Sequence, residues 1–286
     1  MRSLIPVLTM IVALIVIWYG SAVALNSAWA YDKAKRADVT LSTTDLIADT
    51  WSQDKPRLPA PHQVAQEIWK TTVEKKITSK RSLIFHSWIT MQATLLGFGL
   101  GTILGFALAV GIVYSGVMDR TVMPWVIASQ TIPILAIAPM IIVVLNSIGI
   151  SGLLPKAIIS MYLSFFPIVV GMVKGLRSPD AMQLDQMKTW SASGSQEFWK
   201  LRLPSSMPYL FTSMKIGMAA SLVGAIVGEL PTGAVAGLGA RLLAGSYYGQ
   251  TIQIWSALLM AAALAASMVG IIGILQRVSL KRMGMA

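Results

Sequence analysis

Charge is absent from long stretches of this chain of 286 residues, and that constrains its fold more than any motif does. No charged residue occurs between Arg2 and Asp32. The same silence returns over Ser87–Met118, Thr121–Pro155, Ala157–Val173 and Leu242–Gln276. A helix crosses a bilayer with roughly 20 apolar residues, so these runs predict membrane helices. A further span is expected from about Tyr209 to Gly228, interrupted only by Lys215. With 55% hydrophobic and 12% charged residues and a mean hydropathy of +0.66, a soluble enzyme or a disordered chain is excluded. No cysteine is present, which removes disulfide frameworks, thiolate metal sites and thiol nucleophiles. His62 and His86 lie apart from any acidic cluster, so no metal site is expected.

The expected fold is an all-α membrane protein of about six transmembrane helices. Residues 1–25 form the first helix and 26–86 an external segment. Residues 87–286 hold spans at about 87–118, 121–146, 157–173, 209–228 and 251–276, with an internal loop at 174–208. The apolar part of the first segment exceeds the 7–15 residues of a signal-peptide core, so it reads as a retained anchor although Ala28-Trp29-Ala30 resembles a cleavage site. Orientation follows from basic residues in short loops. Arg2, Arg120, Lys174, Arg177, Lys188, Lys200, Arg202, Arg277, Lys281 and Arg282 fall on one side, whereas the short loops opposite hold only Lys156 and Arg241. Both termini are therefore expected in the cytoplasm. The net charge of +11 reflects this bias, and no nucleic-acid partner is expected.

In the external segment, Lys55-Pro56-Arg57-Leu58-Pro59-Ala60-Pro61 should be stiff and extended, since each proline restricts itself and its predecessor. Val64, Ile68, Val73 and Ile77 then recur at helical spacing, predicting an amphipathic helix at the membrane surface with Trp69 as its interfacial anchor.

Gly97, Gly101 and Gly105 share one face of the second span, and Gly224 and Gly228 repeat that spacing in the fifth, patterns that predict close helix packing. Solute-facing candidates are Gln130 and Thr131, ahead of Pro133, and Ser160, Tyr162, Ser164, Phe165 and Phe166 in the fourth span. For these the alternative is ordinary helix–helix bonding and packing. Intramembrane charges usually mark ion or proton pathways, and helices two, three, four and six carry none in their apolar runs. No aspartate pair or Ser/His couple is placed for proteolysis. The chain reads as a passage without an engine, and not as an enzyme.

The loop at 174–208 carries apolar surface that a mere connector does not need. Pro179 is placed to open a helix. Ser191-Ala192-Ser193-Gly194-Ser195 marks a turn, and Gln196–Leu203 restarts a helix that Pro204 should end or bend. Phe198, Trp199 and Leu201 lie on the second arm.

Here the chain resembles the integral-membrane permeases of ATP-binding-cassette importers, whose cytoplasmic loop reads E-A-A-x3-G-x9-I-x-L-P. Counting back from Leu203-Pro204 places Leu201 at the Ile, Ser191 at the Gly and Asp185 at the Glu, with Ala192 and Phe198 matching frequent neighbours. Asp185-Gln186-Met187 replaces the acidic-Ala-Ala, and Ser191 takes the turn less easily than glycine would. Leu58-Pro59-Ala60-Pro61, Gln130-Thr131-Ile132-Pro133, Phe165-Phe166-Pro167-Ile168 and Glu229 followed by Gly237-Leu238-Gly239 are similar to segments of the nitrate/sulfonate/taurine subfamily.

The resemblance implies a five-helix permease core in the bacterial inner membrane, working as a homodimer. Partners would be a cytoplasmic ATPase dimer and a periplasmic solute-binding protein, with Asp185, Ser191, Ala192, Phe198, Leu201, Leu203 and Pro204 as the coupling element. ATP and Mg would sit on the ATPase, none on this chain, which has no Gly-x-x-x-x-Gly-Lys loop. The implied solute is a nitrate-, sulfonate- or taurine-like anion or a pyrimidine- or flavin-precursor-like heterocycle. The alternatives are an ion-coupled secondary transporter, which should show intramembrane charges or repeated halves, and a membrane anchor or assembly subunit.

Overall fold

A computed structural model describes residues 4–231 and 236–285, and everything regular in them is helical. Arg2, counted among the flanking basic residues, lies outside the described residues. Among the described residues, five helices are long and apolar enough to cross a membrane, and a bent pair makes a sixth crossing if taken as one span. The chain divides into two compact units, Met1–Ser87 with Ala240–Ala261, and Trp88–Gly239 with Ala262–Ala286.

In the first unit, α1 runs over Leu4–Arg36. It passes the expected end at residue 25 because no proline or glycine follows Gly20 within it. Ile5 to Ile17 is exposed all round, as a lipid-facing helix must be. Lys33, Lys35 and Arg36 close its last turn, where cations offset the helix dipole. α2 (Thr43–Ser52) packs on α1. Asn26 is buried and spends both ends of its amide on this unit. Its Nδ2 donates to the carbonyls of Thr50 (3.2 Å) and Leu58 (2.8 Å), while its Oδ1 accepts from the amides of Arg57 and Leu58. With Trp18 Nε1 bonded to the Pro59 carbonyl at 2.9 Å, these contacts pin the proline-rich stretch.

α3 (Pro61–Trp69) begins on its proline. The expected amphipathic helix does not continue regularly to Ile77. A wide π turn takes over at Lys70–Glu74, where Thr71 and Thr72 hydroxyls bond back to the Glu67 and Ile68 carbonyls at 2.6 Å. The remaining elements of this unit come from the start of α4 (Leu83–Tyr114), most of α11 (Leu238–Tyr247) and the start of α12 (Thr251–Arg282).

The second unit centres on α7 (Leu153–Leu176), which lies between α4 and α10 (Leu203–Glu229). A Cβ at Gly97 would meet the Ala157 carbonyl at 2.5 Å, and one at Gly105 the Phe165 carbonyl at 2.9 Å. On the other side, a Cβ at Gly224 would meet Ser160 Cα at 2.7 Å. The glycine faces thus bring three backbones together, as small-residue spacing allows. Phe98, Phe165, Ile168, Met172, Leu176 and Met218 build the core, with Met268 and Ile272 of α12.

The expected third span is broken. α5 (Gly116–Ser129) and α6 (Ile134–Ser147) meet at 99°. Pro133 has no N–H for a helical bond and pushes its predecessor toward extended backbone, so the helix stops there.

Candidate functional site

The loop between α7 and α10 is more ordered than a connector. α8 (Ala181–Thr189) starts on Asp180, whose carboxylate accepts the Gln183 amide at 2.8 Å while the Gln183 side chain bonds back. This reciprocal cap opens the helix, not Pro179. The helix ends with Ser191 in the left-handed region at φ +53°. The Ser191 amide bonds to Lys188 O at 2.8 Å and the Ala192 amide to Met187 O at 2.9 Å, a Schellman closure. Ser191 therefore occupies the position where a glycine costs least.

Ser193 then caps α9 (Gly194–Glu197), again reciprocally with Gln196. A π turn at Phe198–Arg202 leads straight into α10. Pro204 neither ends nor bends the second arm. It follows directly on the π turn, and the helix runs on through it into α10.

Arg202 ties this loop down. Its Nε donates to Glu197 at 2.5 Å and its Nη1 to the Leu176 carbonyl at the end of α7 at 2.8 Å. Its guanidinium also lies over the Tyr114 ring, 5.9 Å from the centroid. Sequence reasoning counted Arg202 only as a topology-setting charge. Nothing in its neighbours distinguishes it, because its partners are distant in the chain.

The expected coupling residues separate into two sets. Ala192 and Leu201 line a cleft of about 480 Å³ together with Gln186, Met187, Trp190 and Lys200. Trp190 and Trp199 stand 72% and 64% exposed. Asp185 is on the exposed surface of α8, paired with Lys188 at 2.9 Å. Phe198 and Leu203 instead turn inward and pack against the core of the unit.

The solute-facing candidates also separate. Gln130 and Thr131 are exposed at the α5–α6 break. The Tyr162 hydroxyl donates to the Ser129 carbonyl there, a group freed because the helix stops. Phe165 is buried beside Tyr162, with centroids 6.1 Å apart, and Phe166 is half-buried. Ser160 and Ser164 are fully buried among α4, α7 and α10. Ser164 bonds to Met161 O, whereas Ser160 Oγ bonds to no group among the described residues.

A third feature gathers residues far apart in sequence. Glu229, fully buried at the end of α10, accepts from the Thr90 hydroxyl at 2.9 Å and from the Gly239 amide at 2.7 Å. The Leu238 amide donates in turn to Thr90 Oγ1 at 2.9 Å. Gly237 has φ +125°, and a Cβ there would collide with the Glu229 carboxylate. Gly237-Leu238-Gly239 is thus the backbone that closes over this carboxylate. The sequence marks the motif, but Thr90 carries no local signal.

The family described as "Binding-protein-dependent transport system inner membrane component" matches residues 101–285. The chain is 32% identical to the formylaminopyrimidine transport permease protein ThiX of Halalkalibacterium halodurans, over 64% of this chain and 68% of that one. It is 27% identical to a probable ABC transporter permease protein of Haemophilus influenzae, over 77% and 85% of the two chains. To the riboflavin transport system permease protein RibX of Chloroflexus aurantiacus it is 29% identical, over 77% and 78%. Such proteins are transport permeases rather than members of an enzyme family. The chain belongs to the inner-membrane permease family of binding-protein-dependent ABC importers and is a multi-pass protein of the bacterial inner membrane.

Proposed function

We propose that this permease passes a flat, nitrogen-rich heterocycle of the pyrimidine or flavin-precursor class into the cytoplasm, as a pair of identical copies. A periplasmic protein delivers the solute, and a cytoplasmic ATPase dimer holding ATP and Mg drives the cycle. The observation that carries the mechanism is the cleft beside Trp190 and Leu201 on a loop pinned by Arg202. Large exposed apolar side chains on a rigid mount suit a docked partner. ATP-driven closure of the ATPases acts only on states it contacts differently, and α8–α9 is the contact. Motion there reaches α7 through Leu176 and α10 through its unbroken start.

The substrate class rests on the names of two relatives, for a formylaminopyrimidine and for riboflavin. Gln130 and Thr131 at the α5–α6 break, Tyr162 bonded to it and Phe166 one turn further along α7 offer ring faces and amide and hydroxyl groups, which suit an uncharged heteroaromatic better than an anion. Ser160 and Ser164 join the passage only where the packing of α4, α7 and α10 opens.

The test is uptake into proteoliposomes holding this chain with its ATPase, supplied with ATP and the loaded binding protein. Uptake of an aminopyrimidine in preference to taurine and nitrate is expected. Preference for the anions would overturn the substrate class. Ion-gradient-driven uptake by this chain alone would overturn the importer mechanism.

A further inference from the structure

Within the unit formed by 1–87 and 240–261, a cavity of about 310 Å³ is lined by Lys70, Lys75, Arg81 and Arg241, with Glu67 as its one carboxylate. None of the four cations lies within ion-pair distance of a carboxylate among the described residues. Four cations thus share the cavity with one carboxylate, an excess of positive charge that an anion would offset. Arg241 is the most telling. Its Nε is buried and donates to no acceptor among the described residues. Gln253 holds its backbone by donating to the Arg241 carbonyl at 3.2 Å. Burial pushes this guanidinium below its ordinary value, and Glu67 only partly restores it.

The surroundings indicate where the anion comes from. α4 begins at Leu83, two residues beyond Arg81, and α12 begins at Thr251, so membrane helices start at the rim of the cavity. Trp69, Val73 and Ile77, on the same segment as Lys70 and Lys75, are exposed apolar side chains of the kind that enter the acyl boundary. Side chains so placed would set the cations at headgroup level, where a guanidinium fork matches phosphate oxygens.

We infer that this cavity binds a phosphate oxyanion, with the headgroup phosphate of an anionic lipid as the favoured source and free phosphate as the other. Arg241 would grip the phosphate from the buried side, and Lys70, Lys75 and Arg81 would surround it from the open side. The site involves neither the ATPase-facing loop nor the solute candidates, so the proposed transport function can fail without affecting it.

The test uses the full-length chain purified in detergent, with bound lipid counted by native mass spectrometry. Phosphatidylglycerol, phosphatidylethanolamine and inorganic phosphate serve as probes. Phosphatidylglycerol should be retained over phosphatidylethanolamine, and K75Q and R81Q should each weaken retention about fivefold. Arg241→Gln should weaken it at least as much. Because that variant removes a buried group, K75Q/R81Q carries the test if Arg241→Gln does not fold. Inorganic phosphate displacing the lipid would place both sources in one site. Inorganic phosphate binding without lipid preference, lost in the same variants, would identify free phosphate as the source. Equal retention in wild type and variants, or binding only of an acidic segment of the binding protein, would overturn the inference.

Discussion

Replacing Arg202 with alanine should disconnect ATP hydrolysis from transport while leaving the chain inserted. The side chain makes three ties: the ion pair to Glu197, the bond to the Leu176 carbonyl and the stack on Tyr114. The ion pair is well shielded, with 18% of the Arg202 and 23% of the Glu197 side chain exposed, so solvent screens it less than a surface pair. A hydrogen bond from a charged donor is worth about 1.5–3 kcal/mol and a cation–π contact about 0.5–1 kcal/mol. Sharing one side chain, they do not add fully, and about 2–4 kcal/mol is a reasonable total. That corresponds to a shift of roughly 30- to 800-fold between the held and released loop.

In proteoliposomes with ATPase and binding protein, the R202A chain should show at least tenfold lower uptake per ATP hydrolysed. Hydrolysis should persist but lose its dependence on loaded binding protein. Arg202→Lys should fall between, since an ammonium cannot bond to Glu197 and Leu176 in the same fork. E197A should be milder, because the tie to α7 survives. Wild-type uptake per ATP in R202A would refute the pinning role.

Other outcomes follow from the same geometry and are read as thermal unfolding of the full chain in detergent. Gly97→Ala should destabilise by about 1–3 kcal/mol through overpacking against α7, whereas Gly99→Ala, with nothing within 4 Å of its new Cβ, should be neutral or stabilising. Equal effects at these two positions of α4 would contradict the packing account. Ser191→Gly should stabilise the loop by about 1 kcal/mol, since a side chain is strained at φ +53°; a lower unfolding temperature would count against it. Thr90→Val keeps the shape but takes a donor from Glu229 and an acceptor from the Leu238 amide. A loss of about 2–4 kcal/mol is expected, and an unchanged midpoint would show that the closure contributes nothing to stability.

Much of the architecture was legible because a membrane chain must hide its backbone polar groups in helices and its side chains must be apolar where lipid touches them. That requirement writes spans into the sequence as uncharged runs. It also makes glycine spacing a readable sign of close packing, as at Gly97, Gly101 and Gly105 against α7. The turn at Ser191 was legible because Ser191-Ala192-Ser193-Gly194-Ser195 gathers residues whose short side chains bond to nearby backbone or leave φ free.

Other features depended on three dimensions. The inward packing of Phe198 and Leu203 and the outward face of Trp190 cannot be told apart by composition, since all are apolar and lie in one loop. Arg202 meets Leu176 across 26 residues, and Thr90 meets Glu229 across 139. A local pattern records only what a residue's own helix or turn demands. Which distant group satisfies its charge or hydrogen bond is decided when the helices pack. The sequence alone therefore determined the class of fold, the approximate spans, the stop at Pro133 and the turn near Ser191, because each is a local response to lipid or to backbone geometry. Tertiary structure decided which apolar residues of that loop turn inward, the pin that Arg202 makes on it and the carboxylate closed beneath Gly237-Leu238-Gly239, because each is a pairing between elements that no single segment encodes.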